Sequence, residues 1–280
     1  MTVLVAGASG VFGRHLVNAL GQARYRVETL GRGSDNDISA DLLDREQLMN
    51  ATTGHQADVV VHAATALRKP PLRERDMRLT NHLRITGTRN LIEAASAMGA
   101  TRMISESMAF GYGFGDHGPH PLTEGDRFGD DPGVPNALKA KEEMTFEFGL
   151  GGVALRFGLF YGPGATETLV KMLNKRILPV VNSPFVLPWV ELRDAAAATV
   201  AAIEHGRPGE AYNIAEPVSK GFGAMVRAVA EAYHTPTPLR IPLWMVRPFS
   251  YLHTLLSTNL TLDVGKAERE LGWKPRHDSL

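Results

Sequence analysis

Val3-Leu-Val-Ala-Gly7-Ala-Ser9-Gly10-Val11-Phe12-Gly13 is the stretch from which the fold follows. Val3–Ala6 is an apolar run of the length of a buried parallel strand, and Phe12, Leu16, Val17 and Leu20 recur at helical spacing directly after it. Gly7, Gly10 and Gly13 therefore stand in a strand-to-helix turn. There the backbone must turn sharply while a pyrophosphate reaches amide N–H groups at the positive end of a helix, and side chains at those places obstruct the approach. Three glycines in a turn also suit simple strand–helix packing, but here a second strand, Val27–Leu30, follows the helix. The stretch reads as a phosphate cradle for a dinucleotide, with Ser9, Val11 and Phe12 as further cradle residues.

Working outward, strands are expected at Ile38, Asp58–Ala63, Met103–Ser105 and Val153–Phe157, and helices at Val11–Leu20, Glu46–Asn50, Met77–Met98 and Ala137–Phe148. This alternation predicts an α/β fold, a Rossmann doubly wound parallel sheet with helices on both faces and ligands beyond the carboxyl ends of its strands. After Arg156 the pattern loosens, with strands near Val186–Val190 and Tyr212–Ile214 and helices at Asp194–Glu204 and Phe222–Tyr233. The expected division is a dinucleotide-binding domain over residues 1–165 and a smaller C-terminal substrate lobe over 166–280, interwoven with it. The apolar segment Leu243–Leu256 reads as a helix packed on that lobe, with a lid or a dimer face as the alternatives.

The 30 Lys and Arg residues equal the 30 Asp and Glu residues, so charge points to neither nucleic acid nor an acidic membrane surface. The absence of cysteine excludes disulfides, thiolate metal sites and a cysteine nucleophile. With a strand expected from residue 2 or 3, no signal peptide is expected, and no run reaches the roughly 20 apolar residues of a membrane helix. The expectation is a cytoplasmic monomer or homodimer acting on a small molecule, without a metal.

In NAD-binding turns an acidic residue about 20 positions on holds the ribose 2′-hydroxyl, whereas an arginine there accommodates a 2′-phosphate. Gly31 occupies that place and Arg32 follows it; Ser34 adds a hydroxyl and Arg14 a second guanidinium. Two arginines without a carboxylate favour NADP (NADPH) over NAD.

Beyond the glycine turn, Asp41-Leu42, His62-Ala63-Ala64-Thr65, Asn81 in the following helix, Arg156-Phe157-Gly-Leu-Phe-Tyr-Gly-Pro-Gly164, Trp189–Asp194 and Leu271-Gly-Trp-Lys-Pro275 appear in order. With these motifs the chain resembles, over nearly its whole length, the extended short-chain dehydrogenase/reductases of the NAD-dependent epimerase/dehydratase type. The resemblance implies that Asp41 and Leu42 hold the adenine, that Ala63, Ala64 and Thr65 lie beside the adenosine ribose and phosphates, and that Phe157 ends the sixth strand beside the cofactor. Members of this family carry a catalytic serine after the fifth strand and a Tyr-x-x-x-Lys on the next helix. Ser107 aligns with the serine, but four residues before Lys139 stands Pro135, and four before Lys141 stands Ala137. The tyrosine is missing, which identifies the chain as an atypical member, similar to the ketoreductases that tailor aromatic polyketides in antibiotic biosynthesis.

Hydride delivery to a carbonyl still needs a proton for the developing alkoxide. Ser107 is suited to polarising the carbonyl, and Tyr112 is the nearest phenol in the sequence; the substrate's own phenol is a third source. The reading is an NADPH-dependent ketoreductase, substrate-assisted, with Ser107 and Tyr112 as candidate catalytic residues. The rivals are a non-catalytic NADP-binding regulator or scaffold and a nucleotide-sugar epimerase or dehydratase. Residues 111–135 hold seven glycines and four prolines, too many for regular structure, and predict a loop at the mouth of the site. Phe110, Phe114, Phe128, Phe160, Phe185 and Trp189 are expected to gather at the same strand ends and to favour an aromatic ligand.

Overall fold

Thr2–Ala6 (β1) alternates its side chains between two buried layers: Val3 and Val5 pack on one face, Leu4 and Ala6 on the other. Both faces of the strand are covered, which is why its sequence runs apolar without alternation. The structure, a computed structural model, describes residues 1–149 and 151–277. After β1 come α1 (Val11–Gln22), β2 (Arg26–Gly31), β3 (Ile38–Ser39), α2 (Arg45–Thr52) and β4 (Val59–His62). A helical segment follows as α3 (Arg78–His82) and α4 (Thr88–Ala97), then β5 (Arg102–Met108), α5 (Val134–Phe146), β6 (Gly152–Phe157) and β7 (Leu159–Tyr161). The remainder comprises α6 (Thr166–Asn174), β8 (Val180–Asn182), β9 (Trp189–Glu191), α7 (Leu192–His205), β10 (Glu210–Ile214), α8 (Phe222–Ala232), β11 (Arg240–Pro242), α9 (Ser250–Leu256) and α10 (Gly265–Leu271).

The central sheet has the order β10-β6-β5-β4-β1-β2-β3, all parallel, with Val5 opposite both Thr29 and Val61. Phe12, Leu16 and Leu20 of α1, the alanine-rich face of α7 and Leu271 of α10 cover one side. Leu48 of α2 and Leu91, Ala94 and Ala95 of α4 cover the other. The chain moves from β1 outward to β3, then returns to lay β4 on β1's opposite side. That reversal opens a crevice beyond the carboxyl ends of β1 and β4, the place where such sheets bind ligands.

The expected helix Met77–Met98 is present but is not continuous: five residues, Leu83–Gly87, form a π turn between α3 and α4. The Thr88 hydroxyl after it donates to the Arg84 carbonyl at 2.5 Å and contacts the buried His62 ring at 3.0 Å, so the turn is pinned to the end of β4. Tyr212–Ile214 belongs to β10 at the edge of the main sheet, and α7 and α10 also pack on that sheet. The pairs β7–β9 and β8–β11 lie outside the main sheet; α6 and α8 pack on them, while α9 packs both on β8 and on Leu138 of α5. Residues 111–135 are loop apart from the single turn Ala109–Tyr112 and the start of α5, and are tied to the chain near the C-terminus through Asp116–Asn259 and Leu122–Leu262. Among the described residues no helix is long and apolar enough to cross a membrane.

Candidate functional site

A cleft of about 620 Å³ lies over the carboxyl ends of β1, β2 and β4. Gly7, Ser9, Gly10, Val11, Phe12 and Arg14 form its floor; Arg32, Asp41 and Leu42 one end; and Ala63, Ala64 and Thr65 the wall opposite. Local packing requires the glycines. Gly7 has φ +95°, and a Cβ there would lie 2.6 Å from the Ala64 Cα. A Cβ on Gly13 would lie 2.2 Å from the Gly7 carbonyl oxygen, so α1 sits closer to the turn than any side chain allows. Gly10 faces only the Gly7 carbonyl, leaving the N-terminus of α1 open to the cleft. This cradle fits a pyrophosphate held by backbone N–H groups.

Arg32 and Arg14 both reach the cleft; Arg14 donates to the Ser9 carbonyl at 2.8 Å, and Arg32 stands 4.0 Å from Asp41 in an exposed, loose ion pair. Asp35 lines the same end, so a carboxylate is present where the sequence suggested none. Gly13, Ser34 and Phe157 are not among the lining residues. Gly13 is packed under the turn, Ser34 is exposed on the loop after β2, and Phe157 is fully buried with its ring 5.4 Å from Phe12 and 5.3 Å from Phe160. Of the six aromatics, Phe110, Phe114 and Phe128 share one cluster around Tyr251, whereas Phe160 stacks on Phe12 at the cleft and Trp189 meets Phe222.

At the inner end of the cleft stands Glu106 of β5. Its carboxylate is 3.5 Å from the Lys141 ammonium, which also donates to the His62 carbonyl at 3.3 Å and is almost wholly buried. Burial pushes the Lys141 pKa down to about 8, against the pull of Glu106. His62 is held well below its usual range by burial and then by Lys141 and Arg84, so it is neutral. The Ala64 amide donates to its Nδ1 at 3.4 Å, which leaves Nε2 to donate to Thr88. Ala137 is buried one turn before Lys141 and brings no hydroxyl.

Ser107 and Tyr112 lie elsewhere. β5 runs to Met108, so Ser107 is inside the strand, fully buried and donating to Glu142 of α5 at 2.6 Å. Tyr112 donates to Asn213 at 2.7 Å and accepts from Arg156 at 3.0 Å; burial pushes its pKa up to about 12. Arg156 binds Glu142 through Nε and Nη2 and lies 3.7 Å over the Phe128 ring. Both hydroxyls, expected at the acceptor, are bonded within a buried network, and neither residue lines the cleft. The residue that sequence reasoning missed is Glu106. Alternation supplied the signal, since Ser105 and Ser107 share one face of β5 and both bond to α5. Glu106 must then point away from them.

A family model described as the NAD dependent epimerase/dehydratase family matches residues 3–215. The chain is 32% identical to a 3-diazoavenalumate denitrifying reductase of a Streptomyces species, over 100% of this chain and 97% of that protein. Among solved structures, the UDP-glucose 4-epimerase of Thermus thermophilus in complex with NAD superimposes with a TM-score of 0.80 at 22% identity, covering 99% of this chain and 95% of that one. RMD from Pseudomonas aeruginosa complexed with NADPH superimposes with a TM-score of 0.78 at 18% identity, covering 99% and 94%.

Proposed function

We propose, from the premise that the chain belongs to the NAD-dependent epimerase/dehydratase family, that it reduces a small aromatic acceptor with NADPH in preference to NADH. Membership, with a reductase 32% identical over the whole chain, makes it an NAD(P)-dependent oxidoreductase. The observation that carries the finer reading is Ala137, one turn before the buried Lys141. Oxidising a sugar hydroxyl needs a base, and the side chain at that place has none; a reduction can take its proton from a phenol of the acceptor, or needs none where the hydride displaces dinitrogen.

The nicotinamide, when bound, supplies hydride. Gly7, Gly10 and the first turn of α1 would hold its pyrophosphate, Asp41 and Leu42 would border the adenine, and Arg32 with Arg14 would accommodate a 2′-phosphate; all of these residues line the cleft. Lys141, anchored on the His62 carbonyl and Glu106, keeps a positive charge at the inner end of the cleft where negative charge develops. Two acceptor chemistries suit a site without the tyrosine. One is a polyketide-like carbonyl beside a phenol that gives its own proton to the alkoxide. The other is an aryl diazo group, which leaves as dinitrogen when hydride replaces it and creates no alkoxide; the Streptomyces relative named for 3-diazoavenalumate favours including it.

Titration with NADPH and NADH, followed by aromatic ketones and diazonium salts, tests the reading. NADPH is expected to bind at least about tenfold more tightly, equivalent to about 1.4 kcal/mol, with Arg32→Ala removing most of the difference. Equal affinities would transfer the 2′ end to Asp35, and tight binding without oxidation of NADPH by any acceptor would overturn the reductase. The pH dependence follows from Lys141. Turnover is expected to fall as pH rises through about 8, where Lys141 loses its proton. Stability runs the opposite way: with the folded pKa below the ordinary lysine value of 10.5, the unfolded chain binds more protons between those values, so this group's contribution to stability rises across that window. A rate flat from about pH 6 to about 10, on either side of the Lys141 titration, would deny the ammonium a role in the reaction.

A further inference from the structure

The helix beside the cleft carries a charge that hydride transfer does not use. Arg84 lies in the π turn between α3 and α4 and is buried, yet it forms no ion pair among the described residues, and its single side-chain bond is to Asn81 Oδ1 at 3.0 Å. A guanidinium has five donors in a planar fork, and burying it without a carboxylate is costly. One turn earlier, the Thr80 hydroxyl is buried with no hydrogen-bond partner. Across from this helix, Tyr251 of α9 is buried, and its hydroxyl has no hydrogen bond among the described residues. Arg84 is near enough to feel the charge of both Tyr251 and Glu106, and it pulls the Tyr251 pKa down against burial. Arg84 is thus buried with one hydrogen bond and no counter-ion among the described residues, beside the unfilled Thr80 hydroxyl and the buried Tyr251 ring.

Their surroundings are apolar and aromatic. The Tyr251 ring meets Phe114 edge-on at 5.8 Å, and Phe114 stacks on Phe110. Leu67 belongs both to the cleft lining and to the cluster around Tyr251, and the Leu252 amide donates to the Leu72 carbonyl at 3.2 Å, docking α9 on the segment that leaves the cleft. The local charges are Lys141 and Arg84 against Glu106, with His62 neutral. One positive charge is left over.

We infer that Arg84, with the Thr80 and Tyr251 hydroxyls, is a subsite for a carboxylate carried by an aromatic substrate, set beside the inner end of the cleft. A carboxylate matches the planar fork of Arg84, fills the vacant donors and neutralises the excess charge, while the rings of Phe110, Phe114 and Tyr251 take the aromatic body. The inference deepens the proposed reductase and rests on that reading for the identity of the cleft. It makes the preferred acceptor an aromatic acid.

Cinnamate and its uncharged analogue cinnamamide, titrated calorimetrically into the protein with and without NADP⁺, test it. Cinnamate is expected to bind at least tenfold more tightly than cinnamamide. Arg84→Gln should lower cinnamate affinity at least tenfold and leave cinnamamide and NADP⁺ binding unchanged, and Tyr251→Phe should lower cinnamate affinity by a smaller factor. NADP⁺ binding and the melting curve report whether Arg84→Gln folds; if it does not, Arg84→Lys keeps the charge, loses the fork and is expected to weaken cinnamate while sparing cinnamamide. The subsite is overturned if cinnamate and cinnamamide bind alike, if cinnamate fails to bind, or if the folded arginine variants and Tyr251→Phe all bind cinnamate as the wild type does. Failure of the dinucleotide reading shows separately, as an absence of NADP⁺ and NAD⁺ binding.

Discussion

Gly13→Ala is expected to weaken nicotinamide dinucleotide binding on the order of a hundredfold, equivalent to about 2.7 kcal/mol. The added Cβ would stand 2.2 Å from the Gly7 carbonyl oxygen and 2.7 Å from that of Ala8, both backbone atoms that cannot swing aside. Helix α1 must back away from the turn, and the amide groups at its N-terminus leave the position in which they meet a pyrophosphate. Overpacking of this kind also costs stability, about 1–3 kcal/mol. Gly21 in the same helix is the control, because a Cβ there meets nothing within 4 Å. Gly21→Ala should bind NADPH normally and gain roughly 0.5–1 kcal/mol from helix propensity. Nicotinamide fluorescence titration of the two variants decides the matter. Wild-type affinity in Gly13→Ala would remove the cradle from the binding site.

Glu142→Gln is the most destabilising change expected away from the cleft. Glu142 accepts from Ser107 at 2.6 Å and takes three contacts of 2.8–3.2 Å from Arg156, and both members of the pair are buried. Removing the carboxylate charge leaves the guanidinium without its counter-ion in a desolvated place, a loss of about 3–5 kcal/mol. For a chain of this size that lowers Tm on the order of 10 °C. Replacing both members, Glu142→Leu with Arg156→Met, should recover much of the loss, because no charge is then left buried alone. Thermal unfolding of the single and double variants measures it, and a single variant as stable as the double would show that the pair contributes nothing. In the same network Ser107→Ala and Tyr112→Phe should each reduce turnover by less than the roughly hundredfold loss of an essential proton donor, since neither hydroxyl reaches the cleft.

Much of the fold was legible in the chain because its causes are local. The period of the apolar residues in Val3–Ala6 and Phe12–Leu20, and the glycines between them, already specify a strand, a helix and a turn that no side chain can enter. The cleft floor from Gly7 to Arg14 follows from that geometry, whereas the wall from Ala63 to Thr65 was expected only from the family resemblance. The inner end was not legible. Reading Ser107 as the polarising hydroxyl assumed that β5 stops at Ser105, whereas pairing of Ser107 with Arg156 and Met108 with Phe157 of β6 extends the strand. The extension turns Ser107 toward α5 and Glu106 toward the cleft.

By itself the sequence determined the alternating α/β order, the burial of the sheet on both faces and the dinucleotide-type turn, because each depends on residues a few positions apart. The tertiary structure alone decided that Tyr212–Ile214 rejoins the main sheet, that Arg156 pairs with Glu142 and Tyr112, and that Arg84, Thr80 and Tyr251 are all buried. These juxtapositions join residues far apart along the chain. They arise when helices α5 and α9 dock, where desolvation and the pairing of charges select the arrangement, and no periodicity along the chain encodes that choice.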